Sequence, residues 1–140
     1  MRYFIILLLT YFVAISLSLA KTVTLHYEPE KVTLVGKLRL ETFPGPPNYE
    51  SIRDGDAVEA GAYLILDQPI QVDLYPGAPI NTEIYESNVR VLHIASSKDI
   101  DWKMVRQQKH VVISGTLFHA MTGHHHSRVL IWADQINEIH

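Results

Sequence analysis

Four histidines lie close together in one short segment of the chain. His119, His124, His125 and His126 all fall within LFHAMTGHHHSRVL, residues 117–130. Imidazole is the side chain most often used for proton transfer near neutral pH, and it is the commonest metal ligand. A structural zinc site needs four ligands and a catalytic one needs three. These histidines therefore predict either a metal site that other residues complete or an ordinary solvated hairpin tip.

An acidic stretch offers the further ligands that a metal site would need. Glu50, Asp54, Asp56 and Glu59 follow the segment FPGPPNY, and we hypothesise that one of them joins the histidines. The Asp54-Gly55-Asp56 triplet lacks the full spacing and distal Glu of a calcium loop, so a solvated loop is the prediction for it. The chain contains no G-x-S-x-G, P-loop, H-E-x-x-H or cysteine, which argues against an enzyme.

Charge excludes one class of partner. The 140 residues hold 12 Lys+Arg against 15 Asp+Glu, a net charge of −3, with no basic cluster. Because nucleic-acid affinity rests mainly on neutralising phosphates, no nucleic-acid partner is expected. Anionic membrane surfaces are disfavoured for the same reason.

The N-terminal segment predicts the compartment. MRYFIILLLTYFVAISLSLA carries one charge and ends in Ser18-Leu19-Ala20, a small-x-small site of the kind signal peptidase reads. We predict a signal peptide over residues 1–20 and a single domain over 21–140, in the periplasm or secreted. An uncleaved membrane anchor is the alternative, but the apolar run falls short of a span of about 20 residues.

Alternating apolar residues predict a mainly β fold. Strands are expected at Lys31–Phe43, Ala62–Asp67, Val89–Ala95, Lys109–His119 and Ser127–Asp134. Ile70–Leu74 either continues the second strand after Pro69 or pairs beside it. A helix is expected over Lys98–Gln108, capped by Ser97. Five strands with a helix between the third and fourth predict an OB-like barrel.

The last hairpin decides which side chains meet. A turn at 121–123 places Ile113 opposite Ile131, whereas a two-residue turn at 122–123 would place Ile113 opposite Trp132 and swap every face. The first register groups the apolar side chains on one face, so we predict it. The predicted core contains Val32, Leu34, Leu38, Leu64, Leu66, Val89, Val91, Ile113, Leu117, Val129 and Ile131, with Val111 and Ala133 on the same hairpin face.

That register has a consequence for the histidines. His119 and His125 become directly opposed, with β-carbons about 5 Å apart at the rim of the core face. His124 and His126 point to the other face, near Phe118. Either pair could then provide two nitrogen ligands.

Two strings of unusual sequence resemble a known family. ETFPGPPNYESIRDGD at Glu41–Asp56 and GTLFHAMTGHHHSRVLI at Gly115–Ile131 are similar to small secreted bacterial domains of unknown function, the DUF4431 type. Ser127-Arg128 departs from the Thr-Pro of the family pattern. The resemblance implies no activity that can be carried over to these residues.

The barrel and the two strings predict one binding surface. In an OB-fold the loops joining strands one and two and strands four and five flank the ligand face; here they are Pro44–Gly61 and Ala120–His126. We therefore predict a binding module for a small molecule or an envelope protein, not an enzyme. The predicted ligand-binding residues are Phe43, Asn48, Tyr49, His119 and His125. The alternative is a metal-binding protein or metal-dependent hydrolase that holds a divalent transition metal through His119, His124, His125 and His126.

Overall fold

The computed structural model describes residues 22–79, 85–95 and 100–140. The predicted signal peptide and the predicted helix cap Ser97 lie outside these ranges. Among the described residues, no helix is both long and apolar enough to cross a membrane.

The fold is mainly β, as predicted. Six strands, a 3-10 turn and a short helix follow one another in the described chain: β1 Val23–His26, β2 Lys31–Pro44, the 3-10 turn Ile52–Asp54, β3 Val58–Asp73, β4 Glu86–Ala95, α1 Trp102–Arg106, β5 His110–His119 and β6 Val129–Glu138.

Five of the strands form a ring. β2 pairs antiparallel with β3 and β5, and β6 pairs antiparallel with β5. β4 closes the ring, because it is antiparallel to β3 and parallel to β6. The sixth strand, β1, was not expected; it pairs in parallel with the end of β3. Four residues are too few for alternation to distinguish a strand from a loop.

β2 shows why this sequence forms the ring. Val32, Leu34 and Leu38 are 6%, 6% and 1% exposed, and the polar residues between them face outward. This is the period-2 pattern of a strand with one buried face. A β-carbon at Gly36 would lie 2.2 Å from the Ile65 carbonyl oxygen, so the glycine allows β2 and β3 to approach closely.

β3 is one continuous strand of 16 residues, so Ile70–Leu74 continues it rather than pairing beside it. The β3–β4 register is irregular between Ile65 and Ile70, the segment that contains Pro69. Proline has no N–H for the ladder, which accounts for the interruption. Beyond this irregularity Leu92 is fully buried and Val91 only half-buried, so the prediction of Val91 as a core residue is wrong.

The core fills the interior of the ring. Its fully buried members are Leu64, Val72, Leu92, Val105, Val111, Ile113, Leu117 and Ile131, and Val89 packs at its margin. Val105 comes from α1, whose cap is Asp101: the carboxylate accepts from the backbone N–H of Lys103 at 2.9 Å. The helix therefore begins later than predicted, because Asp101 caps it rather than standing inside its first turn.

The last hairpin has the predicted faces but not the predicted register. His119 pairs with Val129 and Leu117 with Ile131, four residues away from the predicted alignment, and beyond an irregularity at Ser114 and Gly115 the partner of Ile113 is Ile136 instead of Ile131. An even shift over residues 115–119 keeps each side chain on its face, so Val129 and Ile131 are buried as predicted. The connection is a nine-residue segment, 120–128, which we call the histidine loop, instead of a three-residue turn.

Candidate functional site

Three aromatic side chains and one leucine form a row across the outer face of the sheet. Tyr63, His93, Leu130 and Phe118 are successive cross-strand partners on β3, β4, β6 and β5. Their chain neighbours face the core, so alternation directs this row outward. Tyr63 and Leu130 are nevertheless only 2% and 0% exposed. Another part of the chain must therefore cover the row.

The histidine loop provides that cover. The His125 ring meets His93 edge-on, with ring centroids 6.4 Å apart, and meets Phe118 at 5.7 Å. His126 stacks on Phe43 with centroids 3.9 Å apart, and Phe43 in turn contacts Tyr63 at 5.7 Å. It is therefore His125, and not His124 or His126 as predicted, that contacts Phe118.

A carboxylate from β3 joins two of these histidines. Glu59 Oε1 lies 2.9 Å from His124 Nδ1, and Glu59 Oε2 lies 3.7 Å from His126 Nε2. The Tyr49 hydroxyl is 3.5 Å from His124 Nε2. The histidine loop thus contacts the segment joining β2 and β3, residues 45–57, which we call the β2–β3 loop.

Asp56 holds the β2–β3 loop in shape. Its buried carboxylate accepts backbone N–H groups of Asn48, Glu50 and Ser51, each at 2.9 Å. These hydrogen bonds, with that of Ser51 the strongest, lower the pKa of Asp56. The prediction of a solvated Asp56 is wrong. Asn48 also donates its side-chain amide to this carboxylate at 3.2 Å, so its polar group is engaged within the loop.

His119 lies apart from the other predicted residues. It is on the opposite face of β5 from Phe118, where its Nε2 contacts Glu86 Oε1 at 3.2 Å and its Nδ1 contacts the Ala120 carbonyl at 3.1 Å. The predicted pairing of His119 with His125 is wrong, because the true register places Val129 opposite His119.

His93 is a site residue that sequence reasoning missed. Its ring stacks on Tyr63 with centroids 4.7 Å apart, and its buried Nδ1 has no hydrogen-bond partner. Burial, followed by the neighbouring His125 and His126, lowers the pKa of His93 to about 4. A β-carbon at Gly61 would lie 3.1 Å from His93 Nε2, so this glycine leaves room for the ring. Alternation within β4 could have placed His93 on the outer face, but only the cross-strand register brings it to the other imidazoles.

The structure gives no support to a metal centre in the part of the chain that it describes. No group of three or more His, Asp or Glu side chains there is arranged to hold a metal ion. The histidines that the metal hypothesis groups together are divided among different partners: His119 contacts Glu86, His125 accepts from the backbone N–H of Met121, and only His124 and His126 share a carboxylate, Glu59.

A groove opens beside the histidine loop, where β4 and β6 separate. The two strands pair only over residues 93–95 and 130–132. On the N-terminal side of these pairs, residues 86–91 and 126–129 line an open groove of about 370 Å³. The Ser127 hydroxyl closes its lower end, accepting from His93 N–H at 2.9 Å and donating to the Val129 carbonyl at 2.6 Å. Arg90 and Arg128 are exposed along the groove.

Comparison with known proteins finds one family. No curated protein and no solved structure matches the chain. Residues 92–137, from β4 through most of β6, match the family model described as domain of unknown function (DUF4431). The string at Gly115–Ile131 lies inside the matched segment, and the string at Glu41–Asp56 lies before it. Over residues 92–137 the match confirms the resemblance predicted from the sequence to the DUF4431 domain of unknown function.

Proposed function

We propose that this protein is a secreted or periplasmic OB-like binding module that holds its ligand in the groove between β4 and the histidine loop. The order of elements supports the OB-like assignment. Within the ring, α1 follows the third strand, β4, and precedes the fourth, β5, as in that fold. The proposed compartment rests on the apolar N-terminal segment.

One observation carries the binding proposal. The β2–β3 loop and the histidine loop correspond to the two loops that flank the ligand face of an OB-fold. They meet at Tyr49 and His124, whose rings are 5.4 Å apart, and the groove runs along the far side of the histidine loop. Loops positioned by a rigid scaffold are where binding residues concentrate.

The ligand is expected in the groove and not on the strand face itself. Tyr63 and His93 occupy the centre of that face and are already packed beneath the histidine loop. The groove, by contrast, is open, and its volume of about 370 Å³ falls within the range of known ligand sites, about 300–1,000 Å³.

Binding is favoured over catalysis by the charged groups of the groove. Arg90 and Arg128 present guanidinium groups, which donate hydrogen bonds and have no acceptor, so they can hold a ligand but cannot serve as a general base. Glu86 is the acidic side chain that lines the groove, and it is already engaged by His119 and Arg128. The candidates for the ligand are a small molecule and a segment of an envelope protein.

A titration with several classes of probe tests this proposal. The ¹⁵N-labelled protein is titrated separately with maltohexaose, with inorganic phosphate and with the peptide acetyl-(Glu-Thr)3-amide, and amide chemical shifts are followed. We expect at least one probe to shift the amides of residues 86–91 and 126–129 in a saturable way. Arg90→Ala should weaken that binding, and Lys103→Ala on α1 should not. Absence of saturable shifts with every probe would contradict the proposed function.

A further inference from the structure

We infer that the groove binds an extended peptide segment with acidic side chains, which adds as a strand to the free edge of β4. This inference rests on the proposed function and names the partner of the same site. It depends on the backbone of β4, on the Ser127 bridge and on the charge of the groove.

The first observation is the free edge of β4. On one side, residues 86–91 pair with β3 in an irregular register, and Asn88 lies in the left-handed region with a φ of 52°. On the other side, pairing with β6 begins only at His93 in the described chain. The edge of an extended strand presents a row of backbone N–H and C=O groups that can pair with another chain. Strand addition at such an edge is a recurring mode of peptide recognition, in which the main chain provides affinity.

The second observation is the bridge at the closed end of the groove. Ser127 Oγ accepts the N–H of His93 and donates to the carbonyl of Val129. A side-chain hydroxyl thus satisfies a β4 backbone group at the point where the two strands part. Above this point, a strand-like ligand would provide the same kind of partner. The extended part of this edge beyond Asn88, residues 89–91, is about 10 Å long, so an added strand would pair with β4 there over about three residues.

The third observation is the charge along the groove. The Arg128 side chain is 83% exposed, and Arg90 is exposed as well. Glu86 is only 14% exposed and lies 3.2 Å from both His119 Nε2 and Arg128 Nη1, so its carboxylate is already engaged within the protein. Guanidinium groups pair with carboxylates in a bidentate manner. A peptide with acidic side chains on one face therefore complements this groove.

Peptide probes that differ in one feature test the inference. Acetyl-(Glu-Thr)3-amide provides acidic side chains on a strand-forming backbone, acetyl-(Lys-Thr)3-amide reverses the charge, and an acidic peptide N-methylated at alternate residues lacks donors on one edge. We expect the lysine and N-methylated peptides to bind at least about tenfold more weakly than the acidic one, since lost charge-assisted and backbone hydrogen bonds account for that difference. Binding should also protect amides of residues 86–91 from hydrogen exchange.

Matched protein variants complete the test. Arg90→Glu and Arg128→Glu should each weaken binding of the acidic peptide by about tenfold or more. Lys103→Glu, a charge reversal of the same size on α1, should not change it. Equal binding of all three peptides, or shifts outside the groove, would overturn the inference. If maltohexaose or phosphate occupied the groove and no peptide did, the peptide inference would fail and the proposed function would stand. If no probe bound, both would fail.

Discussion

Protonation of His93 should destabilise the protein as the pH falls. The ring stacks on Tyr63 beneath the histidine loop, and its buried Nδ1 has no hydrogen-bond partner, so a proton added there would have no acceptor. Burial, with the nearby His125 and His126, lowers the pKa of His93 from its ordinary value of 6.5 to about 4. The unfolded chain therefore binds the proton more readily between these two values. The stability that the neutral ring contributes is fully present above about pH 6.5 and is lost progressively as the pH falls toward 4.

The size of the effect follows from the shift. A difference of one pKa unit corresponds to about 1.4 kcal/mol, so a fall from 6.5 to about 4 sets an upper limit of roughly 3 kcal/mol. The ring is only partly buried, and solvent screens part of the interaction. We expect a loss of about 1–3 kcal/mol, a large fraction of the roughly 5–15 kcal/mol that stabilises a typical domain.

Urea denaturation at several pH values between 8 and 4 measures this loss. His93→Phe keeps an aromatic ring against Tyr63 and removes the titrating group. Between pH 8 and pH 4 the wild type should therefore lose about 1–3 kcal/mol more of its free energy of unfolding than this variant does. His140→Gln is the control, because the His140 side chain is 88% exposed; its curve should parallel the wild type. Parallel curves for His93→Phe and the wild type would refute the reasoning.

Three further predictions concern the ring and its loops. Ile113→Ala should cost about 2–5 kcal/mol in chemical denaturation, because the side chain is fully buried; Trp132→Ala, at a position 45% exposed, should cost less. Gly61→Ala should lose about 1–3 kcal/mol of thermal stability, since the new β-carbon would lie 2.8 Å from a tyrosine ring, whereas Gly123→Ala meets nothing within 4 Å and should stay within about 0.5 kcal/mol of the wild type. Asp56→Asn should make the β2–β3 loop more susceptible to limited proteolysis at neutral pH, because the backbone donors lose a charged acceptor; an unchanged cleavage rate would show that the loop does not depend on this carboxylate.

Alternation predicted the faces of the strands but not their alignment. The alternating apolar residues of β2 up to Leu38, and those of β5 and β6 that face the core, are buried as the period-2 pattern requires, because this pattern is local to each strand. The β5–β6 register could not be obtained in the same way: a shift of four residues, as found for residues 115–119, leaves the faces unchanged, and the further one-residue shift at Ser114 and Gly115 has no local signal in the sequence. The long connection is stabilised by contacts of the histidine loop with Phe43 and His93, which are distant in sequence. Those contacts only exist once the ring has formed.

The same limit explains which candidate residues lie together in the structure. The residue types alone predicted a site that includes Phe43, Tyr49 and the three consecutive histidines, and these residues do meet at one surface. His93 did not, because a single histidine within an apolar strand carries no signal of its own. Asp56 resembled a solvated acid in sequence, and its burial depends on backbone donors that the loop conformation brings together.

The residues that most suggest chemistry in this sequence are largely used for packing. His125 and His126 are stacked against aromatic rings, and His124 is held by Glu59. These contacts fix the histidine loop, so its last residues, 126–128, and the following Val129 have a defined position opposite β4. In the binding proposal, the histidines therefore shape the groove and the arginines contact the ligand. It follows that substitutions in the cluster should change ligand affinity only together with stability, whereas a substitution of Arg90 should affect affinity alone. Measuring both quantities for His126→Ala and Arg90→Ala separates these roles; an affinity loss for His126→Ala at unchanged stability would assign the histidine to the ligand instead.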